Sequence, residues 1–485
     1  MRLALKSASF HVRNLETRLP FRYGIVTLTR FPVLHVAVEV EAADGRRARG
    51  YAGDNLAPKW FDKDPAKSFQ DNVKDELGAI RIAHQAYLDA AKVPRSIFQI
   101  WLDAFAECRR AGPSLNLNPL TVAFGSSFFE RALADAAARL AGADAVSLLR
   151  HDLLEIRPAA VHRELEQDDL VRWTKGTPPQ TLAVRHTVGL VDPITADDVP
   201  ADGWLHDGLP QTLEECIRTY GLRYFKVKVG GKLDEDLARL TAVAATLDRL
   251  ISEPYVVSLD GNEQYKALGD FAALLERMGR TSVLSRFRKS IAFVEQPLDR
   301  AVALDRGVTE GLAEISLPFV IDESDGELDS FKTAVKLGYR GVSTKNCKGI
   351  FKSFLNRTLV DRWNRRRKPG NFLFMTAEDL TTLAVIPLQQ DLATVRALGI
   401  THVERNGHHY VRGLAHCSPR ERYQATRLHR DLYRGDDGEA WLRIEAGFVR
   451  VGSLNMPGYG GAVEPDLGSM TSLERWSFDS LRSKS

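Results

Sequence analysis

Short runs of apolar residues recur along the chain from about Leu182 to Glu404, and stretches with the residue spacing of amphipathic helices separate them. The eight runs that we interpret as strands are Leu182–Val188, Tyr224–Val229, Tyr255–Asp260, Ile291–Glu295, Phe319–Asp322, Gly341–Lys345, Phe372–Thr376 and His402–Glu404. Near-continuous apolar strands are typical of parallel sheets that helices cover on their faces. The pattern therefore predicts an α/β fold in which strands and helices alternate.

Two of the separating stretches illustrate the helical half of this pattern. Asp234–Leu250 places Leu237, Leu240 and Leu247 on one face, and Leu328–Leu337 stops at a glycine suited to a helix end. Alternating strands and helices with right-handed crossovers form either an open doubly wound sheet or a closed barrel. Eight units favour the barrel, so we predict a TIM barrel.

The two flanks have a different pattern. Residues 1–156 begin with strand-like segments and then become helix-rich, and we predict an amino-terminal capping domain with a long helical insertion at about 57–115. The polar, proline-containing residues 157–180 are interpreted as a linker, residues 181–415 as the barrel, and residues 416–485 as a segment that packs back on the cap.

Charged residues stand where the predicted strands end. The second strand ends in Lys226-Val227-Lys228, whose alternation places both lysines on the same side, and the sixth ends in Lys345. Asp260 with Asn262, Glu295, and Asp322 with Glu323 end the third, fourth and fifth strands. The active sites of TIM barrels lie at these strand ends, so we expect the side chains to converge.

Three carboxylates from consecutive strand ends form a set of hard oxygen ligands, which suits Mg²⁺ or Mn²⁺ better than zinc. Any one of these acids could instead cap the helix that follows it, but the ordered series favours a site. A divalent cation stabilises the charge that develops when a proton is removed next to a carboxylate. We expect Lys228 to be the base, Lys226 to lower its pKa and contact the substrate carboxylate, and Lys345 to face the opposite side of a planar intermediate.

The series Lys-x-Lys, Asp-x-Asn, Glu-Gln-Pro, Asp-Glu-Ser and a later lysine resembles the muconate lactonizing enzyme and mandelate racemase-like subgroup of the enolase superfamily. Pro20-Phe21-Arg22-Tyr23-Gly24 is similar to the family's amino-terminal capping loop. The resemblance implies a modified (β/α)7β barrel with an α+β capping domain from both chain ends. It also implies Mg²⁺ ligands at Asp260, Glu295 and Asp322, an acid/base pair at Lys228 and Lys345, and supporting roles for Lys226 and Asn262.

The same resemblance frames the expected reaction and substrate. It favours a racemase or epimerase acting on a small carboxylate, with a dehydratase, lyase or cycloisomerase that uses the same enolate as the alternative. A barrel that only binds metal is the alternative of another class, and the two catalytic lysines argue against it. The chain has Glu404-Arg405-Asn406 where dipeptide epimerases carry an Asp-x-Asp pair, which argues against a dipeptide substrate.

Four further residues lie near the predicted strand ends. Asp379 falls where the family often places a substrate or lysine contact, and a helix cap explains it equally well. Lys348 is expected to be structural or exposed to solvent. His408 and His409 are adjacent in a polar stretch, so we expect them at the surface and assign them no role.

The composition of the chain limits the partners and the compartment that we expect for it. Its 485 residues, with 66 Lys plus Arg against 63 Asp plus Glu, are too nearly balanced to indicate nucleic acid or an anionic membrane as a partner. Four scattered cysteines indicate neither disulfides nor a zinc motif. No apolar run approaches the roughly 20 residues of a membrane span. We therefore expect a cytoplasmic protein, and the resemblance adds a homo-oligomer as an expectation.

Overall fold

Antiparallel strands and five α-helices form the described amino-terminal part of the chain. The computed structural model describes residues 1–23, 26–383, 385–436 and 438–482. The elements of this part are β1 Arg2–Tyr23, β2 Val26–Ala42, β3 Arg47–Asn55, α1 Phe69–Ala90, β4 Arg95–Ser96, α2 Ile97–Ala111, α3 Pro119–Ala141, α4 Ala145–Arg150 and α5 Gln167–Thr174. β1 pairs with β2 and with β4, and β2 pairs with β3, all antiparallel. Of the predicted capping loop, Gly24 lies outside the described residues.

Helix α3 is the centre of this capping domain. It begins at Pro119, whose fixed φ suits a first helical position, and the side chain of Asn118 caps it. Gly125 allows α1 to approach closely, because a Cβ at this position would lie 2.4 Å from the carbonyl oxygen of Ala79. The predicted insertion at 57–115 contains α1 and α2, and the stretch interpreted as a linker contains α5.

Eight parallel strands alternate with helices in the following part, as the hydrophobic pattern predicts. They and their helices are β5 Thr181–Val188, α6 Leu213–Tyr220, β6 Tyr224–Lys228, α7 Leu233–Leu250, β7 Val256–Asp260, α8 Leu268–Arg280, α9 Ser285–Lys289, β8 Ile291–Glu295, α10 Val308–Glu314, β9 Phe319–Ile321, α11 Ser330–Leu337, β10 Gly341–Thr344, α12 Ile350–Asn364, β11 Phe374–Ala377, α13 Val385–Ala397 and β12 His402–Arg405. This order is (β/α)7β, with α9 as an additional turn before β8, and it confirms the predicted fold class.

The parallel sheet curls into a barrel whose hydrogen-bonded ladder has one open seam. The strand order is β11-β10-β9-β8-β7-β6-β5-β12. Within the described part of the chain no backbone pairing joins β11 to β12, so the ladder does not close as a complete TIM barrel does. Side chains cross the interior instead: Arg185 of β5 donates to the hydroxyl of Thr376 at 2.8 Å and to the carbonyl of Ala377 at 3.2 Å. Each strand at the seam has only four residues, which limits the length over which pairing can form.

The carboxyl-terminal part returns to both the barrel and the cap. Its elements are α14 Gly407–Tyr410, α15 Pro419–Leu428, β13 Tyr433–Asp436, β14 Glu439–Leu442, β15 Phe448–Arg450 and β16 Thr471–Ser472. β15 pairs antiparallel with β5 of the barrel, and β16 pairs with β1 of the cap. The amide of Tyr459 also donates to Oδ1 of Asp135 in α3 at 2.8 Å.

None of the helices in the described ranges is both long and apolar enough to cross a membrane.

Candidate active site

The register of the barrel strands places the predicted lysines and acids side by side. Lys226 and Lys228 are two residues apart on β6 and therefore project to the same side of the strand. In the parallel ladder Lys228 is the partner of Asp260, and Asp260 is in turn the partner of Glu295. The side chains that end neighbouring strands thus meet at one end of the barrel, which is also the end that the capping domain covers.

The ammonium group of Lys226 lies among four carboxylates. Its Nζ is 2.9 Å from Asp260, 2.9 Å from Glu295, 2.7 Å from Glu378 and 3.0 Å from Glu404. Burial opposes the positive charge, but these four acids outweigh it and raise the pKa of Lys226 well above its ordinary value. Lys226 is therefore a fixed cation in this arrangement, and it joins strands from opposite sides of the barrel.

Lys228 and Lys345 line the same cleft from β6 and from the end of β10, which are four strands apart in the sheet order. Lys228 donates to Oδ2 of Asp260 and to Oδ1 of Asn262. Lys345 Nζ lies 2.7 Å from Oδ2 of Asp322 and 3.0 Å from Oε2 of Glu378. These acids overcome the effect of burial and raise the pKa of Lys345 well above its ordinary value.

The carboxylates satisfy the conditions for a hard divalent cation. Oxygen atoms of Glu295, Asp322 and Glu378 lie within 4.8 Å of one another, and all three residues are buried. Glu295 and Glu378 face each other within hydrogen-bonding reach, and Oε2 of Glu295 receives no hydrogen bond. Burial and the neighbouring charge of Glu378 raise the pKa of Glu295 well above its ordinary range. The ammonium group of Lys226 already lies against both Glu295 and Glu378, and the buried carboxylate oxygens that remain are the ligand type that Mg²⁺ prefers.

Asp260, the third ligand predicted from sequence, lies beside this group. Its Oδ2 contacts both Lys226 and Lys228, and their charges lower the pKa of Asp260 despite its burial. Glu295 and Asp322 thus belong to both the predicted ligand set and the observed cluster. Asp260 belongs only to the predicted ligand set, and Glu378 belongs only to the observed cluster.

The supporting residues at the strand ends have unusual backbone conformations. Asn262, Glu263 and Gln296 adopt positive φ values of 40°, 68° and 32°. A residue other than glycine keeps a positive φ only where the surrounding structure fixes its backbone, and residues with this strain concentrate at functional sites. Nδ2 of Asn262 donates to Oε1 of Glu323 at 3.0 Å, so these two predicted residues are linked to each other and, through Asn262, to Lys228.

A loop from the amino-terminal insertion reaches into the mouth of the barrel. The Trp60 ring lies 4.4 Å from Nζ of Lys345, a cation–π contact. Arg300 fixes this loop, because its guanidinium donates to the carbonyl of Trp60 at 2.9 Å and to the carbonyl of Phe61 at 2.7 Å while it also pairs with Glu263. Lys63 of the same loop forms a second ion pair with Glu263.

The cleft above the lysines has one apolar wall and one polar wall. Side chains from both parts of the chain line it: Phe21, Leu28, Phe31, Ala57, Trp60 and Leu380 are apolar, and Asn55, Asn262, Asp379, Thr381, Glu404 and Asn406 are polar. The apolar members come mainly from the capping domain. A ligand in this cleft therefore meets ionic groups at the barrel end and aromatic rings at the cap.

Asp379 lines the cleft but is already engaged. Its carboxylate pairs with the buried guanidinium of Arg405 and accepts from the amide of Thr381 at 2.9 Å. Arg405 also lies 3.7 Å from Asp391. Asp379 does not cap a helix through these contacts, because it neutralises a buried arginine. That arginine, Arg405, is the last residue of the eighth barrel strand. The end of this strand therefore carries a cation, whereas an acidic pair would be needed there to hold an ammonium group.

Some residues of the site did not emerge from the sequence. Glu378 precedes Asp379 and follows the last residue of β11, and Glu404 lies in β12. Arg185 is a charged residue in a strand that is buried along most of its length, which is a signal of a buried ion pair, and it lies 3.0 Å from Glu378. Trp60 lies in an insertion whose position over the barrel depends on tertiary packing and has no sequence pattern.

Of the two expectations for Lys348, the structural one is confirmed: the residue is 2% exposed, and its Nζ lies 3.0 Å from Oδ1 of Asp322, whose charge offsets the cost of burial. The prediction that His408 and His409 lie at the surface is wrong. Both are buried in the short helix α14, because this helix packs against α6 and β5. Burial lowers the pKa of His409 to about 3, so its ring is neutral.

Comparisons with known proteins agree with this architecture. No family model and no curated protein matches the sequence. The structure is similar to the mandelate racemase/muconate lactonizing protein from Herpetosiphon aurantiacus, with a TM-score of 0.59, 15% identity and coverage of 95% of this chain and 99% of the other. The L-Ala-D/L-Glu epimerase from Bacillus subtilis matches with a TM-score of 0.58 and 15% identity over 95% and 100% of the two chains.

A third similar structure is an enolase from Bradyrhizobium complexed with magnesium and mandelic acid, with a TM-score of 0.59 and 14% identity over 97% and 98% of the two chains. At these identities the likeness establishes the fold. It agrees with the fold that the strand-end motifs imply, and it extends over both the cap and the barrel. The chain therefore has the fold of the enolase superfamily, in the form shared by mandelate racemase-like and muconate lactonizing enzyme-like proteins.

Proposed function

We propose that this protein is an Mg²⁺-dependent racemase or epimerase that removes and returns the proton next to a substrate carboxylate. The observation that carries the proposal is the placement of Lys228 and Lys345 on opposite barrel strands that line one cleft beside a cluster of buried carboxylates. Two proton-transfer groups on opposite sides of one carbon are the requirement for inversion.

The proposed cation ligands are Asp260, Glu295 and Asp322. Bound Mg²⁺ would supply positive charge next to the substrate carboxylate, where negative charge develops as the proton leaves. Backbone pairing supports Asp260 as the third ligand, because β7, β8 and β9 are consecutive neighbours and carry these three residues on one side of the mouth. Glu378 arrives from β11 and is held by Lys226, Lys345 and Arg185.

Other residues of the chain transfer the proton or position the groups that do so. Lys228 and Lys345 each hold or move a proton at Nζ. Lys226 remains charged and orients the acids around it, while Asn262 and Glu323 keep Lys228 in position through their hydrogen bonds. The loop that carries Trp60 covers the cleft and limits the access of water.

The lining of the cleft supports an apolar group on the substrate. Phe21, Phe31 and Trp60 contribute aromatic rings to the cleft, and the Trp60 ring lies against Nζ of Lys345. Arg405 and Asp379 neutralise each other after the last strands, so this region offers no free acidic pair for an ammonium group. We therefore propose a carboxylic acid with an aromatic or branched aliphatic substituent, and not a dipeptide with a free amino terminus.

Exchange of the α-proton in D₂O, followed by NMR, tests the proposal. Both enantiomers of a panel of such acids are incubated with Mg²⁺ and wild-type protein, Lys228→Ala or Lys345→Ala. We expect exchange of both enantiomers in the wild type, and in each variant the loss of exchange from one enantiomer only, by a factor of about 10² to 10⁴. Loss of a β-substituent would indicate a lyase. No exchange from any acid, despite saturable Mg²⁺ binding, would indicate a metal-binding barrel without this activity.

A further inference from the structure

A second group of potential metal ligands lies outside the barrel interior. His186 of β5, Cys216 of α6 and His409 of α14 are at most 3% exposed. One ligand atom from each lies within 4.8 Å of the others. Arg185 and Thr187 project into the barrel, where they contact Glu378 and Glu404, so alternation directs His186 outward to the helices. This group is therefore separate from the candidate active site.

We propose that His186, Cys216 and His409 form a binding site for a zinc ion. Two imidazoles and one thiolate are the ligand types that Zn²⁺ prefers, whereas Mg²⁺ requires oxygen. Zinc bonds of about 2.0–2.3 Å would place such ligand atoms roughly 3.4 to 3.6 Å apart in a tetrahedron. Sγ of Cys216 and Nδ1 of His409 are already 3.5 Å apart, so only the third ligand must approach by a small rotation.

The surroundings supply what a histidine ligand needs from its neighbours. Metal-bound histidines usually hold their second ring nitrogen in a hydrogen bond, which fixes the ring orientation. Nδ1 of His186 lies 3.3 Å from Nε2 of His408, and this contact leaves Nε2 of His186 for the ion. Nδ1 of His408 is buried without a hydrogen-bond partner, so this fourth ring is an additional unsatisfied group at the cluster.

The charge of the proposed site also has a partner. Zinc binding would release the thiol proton of Cys216 to solvent and leave one net positive charge on the ion and its thiolate. The carboxylate of Asp192 is nearby, accepting from the hydroxyl of Tyr410 at 2.6 Å, and its negative charge acts on both His186 and Cys216. The guanidinium of Arg18 donates to the backbone carbonyl of His409 at 2.9 Å, and Asp207 neutralises it at 2.6 Å.

The position of the ligands gives the ion a structural role. They join the first barrel strand, the first barrel helix and the segment after the last barrel strand, which are far apart in sequence. Closing such long loops removes conformational freedom from the unfolded chain. The ion would therefore hold together the two ends of the barrel domain and raise its thermal stability, and the proposal does not depend on the reaction proposed above.

The test uses full-length protein with excess Mg²⁺ present to occupy oxygen sites. Cobalt(II) replaces zinc, and a thiolate-to-cobalt charge-transfer band in the near ultraviolet reports a Co–S bond. We expect about one equivalent of tightly held zinc per chain after purification in zinc-containing medium, and the cobalt band in the zinc-free protein. Cys216→Ser should lose both the band and the retained zinc, whereas Cys108→Ser, in the capping domain, should keep both.

A second variant separates metal binding from folding. His409→Gln should lose the retained zinc, and added zinc should raise the Tm of the wild type but of neither His409→Gln nor Cys216→Ser. A wild-type protein that binds cobalt without the thiolate band would overturn the proposal on its own, whatever the variants do. A band that persists in Cys216→Ser, or that disappears in Cys108→Ser instead, would also overturn it.

Discussion

Nζ of Lys226 and Oε2 of Glu378 lie 2.7 Å apart, although the two residues belong to the second and seventh strands of the barrel. The contact places a permanent cation between Glu378 and the acids of the third and fourth strands. Lys345 and Arg185 lie on the same carboxylate at 3.0 Å. Three cations therefore balance the charge of Glu378. Burial would raise the pKa of this carboxyl, but the cations outweigh burial and lower the pKa well below its ordinary value.

This balance leads to a prediction about Mg²⁺ affinity. Asp260→Asn, Glu295→Gln and Asp322→Asn should each weaken Mg²⁺ binding by about tenfold or more, because each removes a charged oxygen ligand. Glu378→Gln should weaken it less, since three cations pair with Glu378 whereas two pair with Asp260. Isothermal titration calorimetry on the four variants measures the order. A larger loss for Glu378→Gln than for Asp260→Asn would assign the third ligand to Glu378.

The loop that carries Trp60 should loosen when its anchor is removed. Arg300→Ala eliminates the hydrogen bonds to the carbonyls of Trp60 and Phe61 and removes the guanidinium from the buried Glu263, which keeps Lys63 and the backbone amide of position 300 as partners. We expect faster hydrogen–deuterium exchange in residues 57–67 and a loss of about 2 kcal/mol in the free energy of unfolding. The exposed pair of Arg280 and Glu276 provides the control: Arg280→Ala should change neither quantity measurably.

Trp60 itself should set the preference for an apolar substrate. Trp60→Ala removes a large aromatic surface from the cleft and the contact with Lys345, and we expect kcat/KM for acids with aromatic substituents to fall by about tenfold. Acids with short side chains present less apolar surface to this ring and should be affected less. Trp60→Phe is the matched control and should retain most of the preference. Equal losses for both kinds of acid would show that Trp60 acts on Lys345 and not on the substituent.

A buried acid between cap and barrel should make stability depend on pH. Burial and the charge of Asp54 raise the pKa of Asp391 to about 7, against about 3.9 for an exposed aspartate. The folded protein therefore binds a proton that the unfolded chain releases, so the free energy of unfolding should fall as pH rises from about 4 to about 7. The size of this loss is on the order of 4 kcal/mol, since each pKa unit corresponds to about 1.4 kcal/mol.

Asp391→Asn tests that sign. The amide keeps an acceptor for the hydroxyl of Thr382 and cannot ionise, so the variant should match the wild type near pH 4 and exceed its Tm at pH 8. Asp202, in an exposed turn, supplies the control: Asp202→Asn should follow the wild type throughout. A variant that is less stable than the wild type at pH 8 would contradict the prediction.

Much of the fold could be predicted from the sequence because parallel strands that are buried on both faces leave continuous apolar runs. β8 was predicted at Ile291–Glu295 and is observed with these bounds. The residues that end such strands were equally visible, which is why Lys226, Lys228, Asp260 and Lys345 were found and do meet in space. The open seam was not predictable, since it depends on whether β11 and β12 pair and no local pattern reports that.

The contributions of the capping domain were hidden for a similar reason. Trp60 and Lys63 lie in a loop without periodicity, and their place over the barrel is set by Arg300 and Glu263, about 240 and 200 residues further along the chain. The burial of His408 and His409 was missed because adjacent histidines carry no signal of the helix that covers them. A charged residue at the end of a buried strand indicates a site from the sequence alone. A contact between the capping domain and the barrel can be predicted only when the packing of the two domains is known.

Arg300 holds the insertion loop through the carbonyl oxygens of Trp60 and Phe61, groups that every amino acid possesses. The placement of the loop is thus independent of the side chain at position 60. Exchange of that side chain changes the shape and polarity of the cleft wall while the backbone stays anchored. In a lineage of such proteins, this loop offers a route by which substrate preference can diverge without a matching change in the barrel.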